Sequence, residues 1–172
     1  DQFDLFQIDD GYETFVGDWM EIDPVKFPNG LAPVVEIIHS KGLKAGIWLA
    51  PFVCETKSRL YREHPEWILK KDGKEVFAGS NWSGDVALDI RRRDVQEYIR
   101  RCLEYYVELG FDFFKLDFLY AAALVSGKEV PGADLGALSG SEGMQQTPAV
   151  AHTRAEIMRS AMKGLREVLK DK

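Results

Sequence analysis

The chain has 172 residues, 45% hydrophobic and 29% charged, and its 22 Lys and Arg against 28 Asp and Glu leave a net charge of −6. This is the composition of one ordinary globular domain with a real core; it excludes disordered, collagenous and low-complexity classes, and no apolar run nears the roughly 18 residues of a membrane span. With no basic arm or stripe, neither nucleic acid nor a membrane is an expected partner, and Cys54 and Cys102, without C-x-x-C spacing, read as reduced, buried thiols.

Residues 3–8 are apolar and read as a buried strand ended by Asp9-Asp10-Gly11. A loop over residues 12–30 follows. Leu31, Val34, Val35 and Ile38 then recur at helical spacing, with Pro33 tolerable in the first turn and Gly42 suited to the position past the end. Residues 43–50 form a second strand closed by Pro51. Thr56 is the expected cap of a short helix that Pro65 stops. Residues 66–88 read as a β-hairpin excursion around the Lys71-Asp72-Gly73-Lys74 turn. A helix spans residues 92–109, a third strand residues 111–119, and a last helix about residues 152–169, after a loop of roughly 30 residues of a kind that commonly serves as a lid or binding loop. Apolar strands alternating with helices imply a parallel sheet covered by helices, an α/β fold.

In such folds the reactive surface lies at the carboxyl ends of the strands. The first strand exits through Asp9-Asp10, the second presents Trp48, and the third carries Lys115 and Asp117 on one face with Phe113, leaving Phe114, Leu116 and Phe118 on the other. Lys115 and Asp117 are either an internal ion pair or ligand-facing groups, because burying two charges is costly unless they pair or serve a ligand. Asp9-Asp10 is either an Asx-type turn or a ligand grip, and both carboxylates reach one ligand only if the chain bends at Gly11. Trp48 is either core or a sugar-stacking platform. His39, His64 and His152 lie on helices without metal-ligand spacing, and Asn81-Trp82-Ser83 matches a glycosylation sequon that reads as coincidence.

Taken together, FQIDDGY, GDW, KFPNGL, GIWLAPF, EHPEW, NW…ALD and FKLDFLY occur in one order across residues 3–120. The ordered set resembles the α-galactosidases of glycoside hydrolase family 36, the melibiase group. That resemblance implies a (β/α)8 TIM barrel, of which 172 residues are only a part because a complete one needs about 250. It casts residues 1–172 as a fragment of a single barrel domain, holding about strands 2–4 with their helices and the hairpin excursion. It implies Asp117 as the catalytic nucleophile, Lys115 as a binder of sugar hydroxyls, Asp9 and Asp10 as the grip on the galactose 4- and 6-hydroxyls, and Trp48 as a wall of the sugar pocket. Lys115 would also favour the anionic form of its neighbour, as any close ammonium does.

The implied reaction is retaining hydrolysis of terminal α-linked galactose through a covalent galactosyl-enzyme, with no metal and no cofactor. The expected partners are an α-galactoside oligosaccharide and the remainder of the parent barrel with its flanking domains. The acid/base residue is expected outside the chain, leaving the isolated fragment inactive. An α-N-acetylgalactosaminidase or galactosyl transferase of the same clan stays open, as does a non-catalytic galactose-binding half-barrel. No leader is visible ahead of the first strand, so cytoplasmic placement is expected.

Overall fold

The computed structural model describes residues 3–124 and 153–172. In chain order its elements are β1 (Leu5–Ile8), α1 (Ala32–Ser40), β2 (Lys44–Leu49), β3 (Val53–Glu55), α2 (Arg59–Glu63), β4 (Lys70–Lys71), β5 (Lys74–Glu75), β6 (Phe77–Gly79), β7 (Asp85–Ala87), α3 (Arg93–Glu108), β8 (Phe113–Leu116) and α4 (Arg154–Leu169), with single 3-10 turns at Pro65–Trp67 and Leu119–Leu124. Most of the expected 30-residue loop lies outside the described residues. Among those residues no helix is long and apolar enough to cross a membrane.

Strands β1, β2 and β8 form a parallel sheet in that order, with β2 central. From Ala45 onward β2 is buried at every position, as the middle of a parallel sheet covered on both faces must be. Asp112 ties the entry of β8 to its neighbours, its Oδ2 accepting the Ala45 N–H at 3.0 Å and meeting His39 Nε2 of α1 at 2.8 Å. On α3, Val95, Ile99, Cys102, Leu103 and Tyr106 are buried along one stripe. The Cys54 and Cys102 thiols are both pushed up to about 12 by burial, as inert core sulfurs should be. The sheet is partial; the described strands do not close into a barrel.

The third strand is shorter than expected. The strand ends at Leu116, with one more ladder bond from Asp117, because Phe118 turns left-handed, at φ 53°. The hairpin is present as β4 and β5, but it is a minor part of the excursion. The excursion's β6 and β7 instead join β3, which lies ahead of it, in an antiparallel sheet ordered β3-β7-β6, whose three-residue strands are too short to show periodicity. The loop between β1 and α1 is pinned from α3: Tyr98 Oη donates to the Gly17 carbonyl and Tyr106 Oη to that of Trp19.

Thr56 does not cap α2. Its hydroxyl is spent on the Ser83 carbonyl at 2.9 Å, and Ser58 accepts the Tyr61 N–H instead. The stronger cap comes from 40 positions upstream. The buried carboxylate of Asp18 accepts the N–H groups of Arg59 at 2.7 Å and Leu60 at 2.9 Å, at the electropositive end of the helix. Asp18→Ala is expected to cost about 3 kcal/mol and lower Tm by roughly 10 °C, because two buried donors lose a charged acceptor. Ser58→Ala should cost about 1 kcal/mol. Thermal melts of the two variants check the ranking, which fails if Ser58→Ala is the more damaging.

Candidate functional site

Register brings the strand exits level. Ile8 pairs with Ile47 and Trp48 with Lys115, so the next residue of β1, Asp9, stands level with both. Asp117 carries the ladder one step further, its N–H donating to the Leu49 carbonyl at 2.8 Å. Its carboxylate is held from two sides: Oδ1 accepts the Phe118 N–H at 2.8 Å and Oδ2 accepts the Trp48 indole N–H at 3.2 Å.

The Asp9-Asp10 pair does bend at Gly11, whose φ of 102° is left-handed. Asp9 accepts the Asp10 N–H at 2.9 Å, the Gln7 amide at 2.7 Å and the Lys115 ammonium at 3.0 Å. The Asp10 N–H above all, with Lys115 and Gln7 adding to it, holds the Asp9 carboxyl below its usual range. Asp10 accepts the indole N–H of Trp82 at 2.8 Å. The lysine is thus not paired with the aspartate two residues along its own strand. Its ammonium sits on Asp9, and the groups that donate to the Asp117 carboxylate are neutral N–H groups.

These side chains surround a cleft of ≈ 360 Å³, a size at the lower end of small-molecule sites. Asp9, Asp10, Trp48 and Asp117 line it, together with Asn81, Trp82 and Phe118; Lys115 reaches it through Asp9. Trp48 is only 2% exposed, its ring packed 5.7 Å from Trp19 and 6.0 Å from Trp82. What it offers is chiefly the N–H that orients Asp117. The more open aromatic surface belongs to Trp82 and Phe118, whose rings meet at 5.3 Å. Both have left-handed backbones, φ 48° and 53°, a state costing bulky residues on the order of 1–3 kcal/mol that the surroundings must hold in place.

Asn81, Trp82 and Phe118 were not among the sequence candidates. Phe118 falls on the packing face of the expected strand, and Asn81-Trp82, part of the ordered NW…ALD motif and of a sequon, carries no site role in the sequence reading. The turn reaches the cleft because β6 and β7 lift it there. Buried Asp85 accepts the Asn81 N–H at 2.9 Å, and Glu55 accepts the Ser83 hydroxyl at 2.8 Å and the Val16 N–H at 2.9 Å.

Behind Asp10 lies Glu13, 4% exposed. Burial first, and the nearby Asp10 carboxyl after it, push the Glu13 carboxyl from 4.5 to about 8, against the pull of backbone N–H groups including that of Gly11. Below pH 4.5 it is protonated in both folded and unfolded chains. As pH rises from there to about 8 the unfolded chain releases this proton while the folded one keeps it, so the stability it contributes is lost across that window. Glu13→Gln has no such proton. Its Tm advantage over the parent should widen by several degrees from pH 5 to pH 8; parallel curves in a pH series of melts would show that Glu13 titrates normally.

The class is therefore a parallel α/β protein with an acidic, aromatic cleft at the carboxyl ends of its strands. Comparison with known proteins agrees. The melibiase family model matches residues 3–127. α-Galactosidase 2 of Pediococcus pentosaceus is 31% identical over 124 residues, covering 72% of this chain and 17% of its own, and an Escherichia coli α-galactosidase is 41% identical over 120 residues, covering 65% and 16%. The solved α-galactosidase of Thermus thermophilus, in complex with p-nitrophenyl α-D-galactopyranoside, superposes with TM-score 0.76 at 36% identity over 99% of this chain and 30% of that one. The chain belongs to the melibiase family. It spans less than a fifth of the length of those two sequence relatives and under a third of that solved neighbour.

Proposed function

We propose that this chain forms the sugar-gripping and nucleophilic part of the catalytic centre of a retaining α-galactosidase. The observation that carries the reading is the convergence of Asp9, Asp10 and Asp117 from different strand exits on one cleft. In this reading β1, β2 and β8 are the second, third and fourth strands of a barrel domain, and further strands pair with the open edges of β1 and β8. Stachyose in the crystal of the Thermus relative supports an oligosaccharide substrate.

Asp117 attacks the anomeric carbon, and the bond from that carbon to the leaving oxygen breaks as the new ester bond forms. A general acid outside the described residues protonates the leaving oxygen, then takes a proton from the water that hydrolyses the ester. The two N–H groups on Asp117 fix its carboxylate in the attacking orientation before substrate arrives. Asp9 and Asp10 accept hydrogen bonds from sugar hydroxyls, which are strong because the acceptors are charged. Lys115, already on Asp9, donates to a hydroxyl at the same end.

Incubation with a 2-fluoro-galactosyl fluoride tests this, because its leaving group needs no acid. One fluorogalactosyl adduct per chain, mapped to Asp117, is the expected result. Galactose binding with no adduct would favour a non-catalytic galactose-binding protein, and an adduct only with a 5-fluoro-N-acetylgalactosaminyl fluoride would reassign the substrate.

A further inference from the structure

Trp82 touches both ends of the cleft. At one end its indole N–H donates to Asp10 at 2.8 Å. At the other its ring lies 5.3 Å from Phe118, which directly follows Asp117, and 6.0 Å from Trp48, which donates to Asp117. One side chain therefore spans from the carboxylate that grips a hydroxyl to the carboxylate that attacks. Buried Asp85 and Glu55 anchor the turn that holds it, and its backbone is left-handed. A tryptophan in that conformation, so anchored, is held for what its indole does.

We propose that Trp82 is a substrate-specificity residue: its edge orients Asp10 to read the axial 4-hydroxyl of galactose, and its partly open face stacks on the apolar face of the same ring. The inference rests on the α-galactoside reading of the site and goes beyond it by assigning the choice between 4-epimers to this indole. The N–H is a fixed donor to Asp10 Oδ2, and with Glu13 on the buried side of the same carboxyl it sets the plane that a sugar hydroxyl meets. Without that donor the carboxylate rotates among several orientations, and accepts an equatorial hydroxyl almost as well as an axial one. The face contributes to both epimers alike, since an aromatic wall gains from carbon-bound hydrogens whichever way the hydroxyl points.

Two variants separate the edge from the face. Trp82→Phe keeps a ring and removes the N–H; Trp82→Ala removes both. Dissociation constants for galactose and glucose are measured by isothermal titration on the parent and each variant, with circular dichroism to verify folding. Trp82→Phe should lose about 10-fold of the preference for galactose over glucose while binding glucose nearly as the parent does. Trp82→Ala should lose that preference and also bind both sugars several-fold more weakly. If both variants weaken the two sugars equally, Trp82 is only packing and the inference fails. If Trp82→Ala does not fold, Trp82→Phe alone decides. A parent that binds neither sugar overturns the α-galactoside reading itself, an outcome distinct from an unchanged ratio in a parent that binds.

Discussion

Asp117→Asn is expected to abolish covalent capture of a 2-fluoro-galactosyl fluoride, lowering the labelling rate by a factor on the order of 10⁴ or more. Asparagine keeps the size, and its one amide oxygen can still accept either the Trp48 indole or the Phe118 N–H, though not both. The fold and the cleft should therefore survive, and galactose affinity should change by no more than a few-fold. What is lost is the anionic oxygen that forms the ester, and an amide does not replace it. Intact-mass kinetics alongside sugar titration separates the two effects. Labelling that persists in the variant would move the nucleophile to another carboxylate of the cleft. By contrast, Lys115→Met should leave labelling far less impaired, because its ammonium is engaged with Asp9.

The largest effect on stability is expected at Gly17. Its φ is 109°, and a Cβ built there falls 2.5 Å from Cys54 Cβ and 3.1 Å from Cys54 Cα. Neither atom is the mobile end of a long side chain, so β3 itself has to move. Gly17→Ala should cost on the order of 4 kcal/mol, the sum of left-handed strain and overpacking. Gly30→Ala supplies the control. It has φ 70° with nothing within 4 Å of its added Cβ, so only the backbone term of about 1 kcal/mol remains. Chemical denaturation gives both values, and equal losses would mean that β3 yields easily. The position also bears on the site, since the neighbouring Asp18 caps α2 and Val16 donates to Glu55, which holds the Ser83 end of the Trp82 turn.

The parallel sheet was legible because it leaves a strong local trace. Strand β2 is buried from Ala45 onward and flanked by Gly42 and Pro51, and α3 repeats its apolar residues over four turns. The antiparallel sheet left none. Residues 53–55 and 85–87 are too short for alternation to stand out, and Asp85 and Glu55 look like surface residues until the fold buries them. The site divides the same way. Asp9, Asp10, Trp48 and Asp117 were identifiable from strand ends and ordered motifs, and all four line the cleft. Asn81 and Trp82 open the NW…ALD motif, but motif order gave neither side chain a role, and only β6 and β7 bring their turn to the cleft.

By itself, then, the sequence determined the family, the α/β class and the carboxylates at the strand exits, because periodicity and motif order are local properties of a chain. Only the tertiary structure decided which charge meets which. Lys115 is two residues from Asp117, yet it sits on Asp9, 106 positions away, because parallel register sets those side chains level on the two strands that flank β2. Trp82 crosses 72 positions to reach Asp10 for a similar reason. Which group stands beside a carboxylate depends on how strands and turns pack, and that is a property of the assembled sheet.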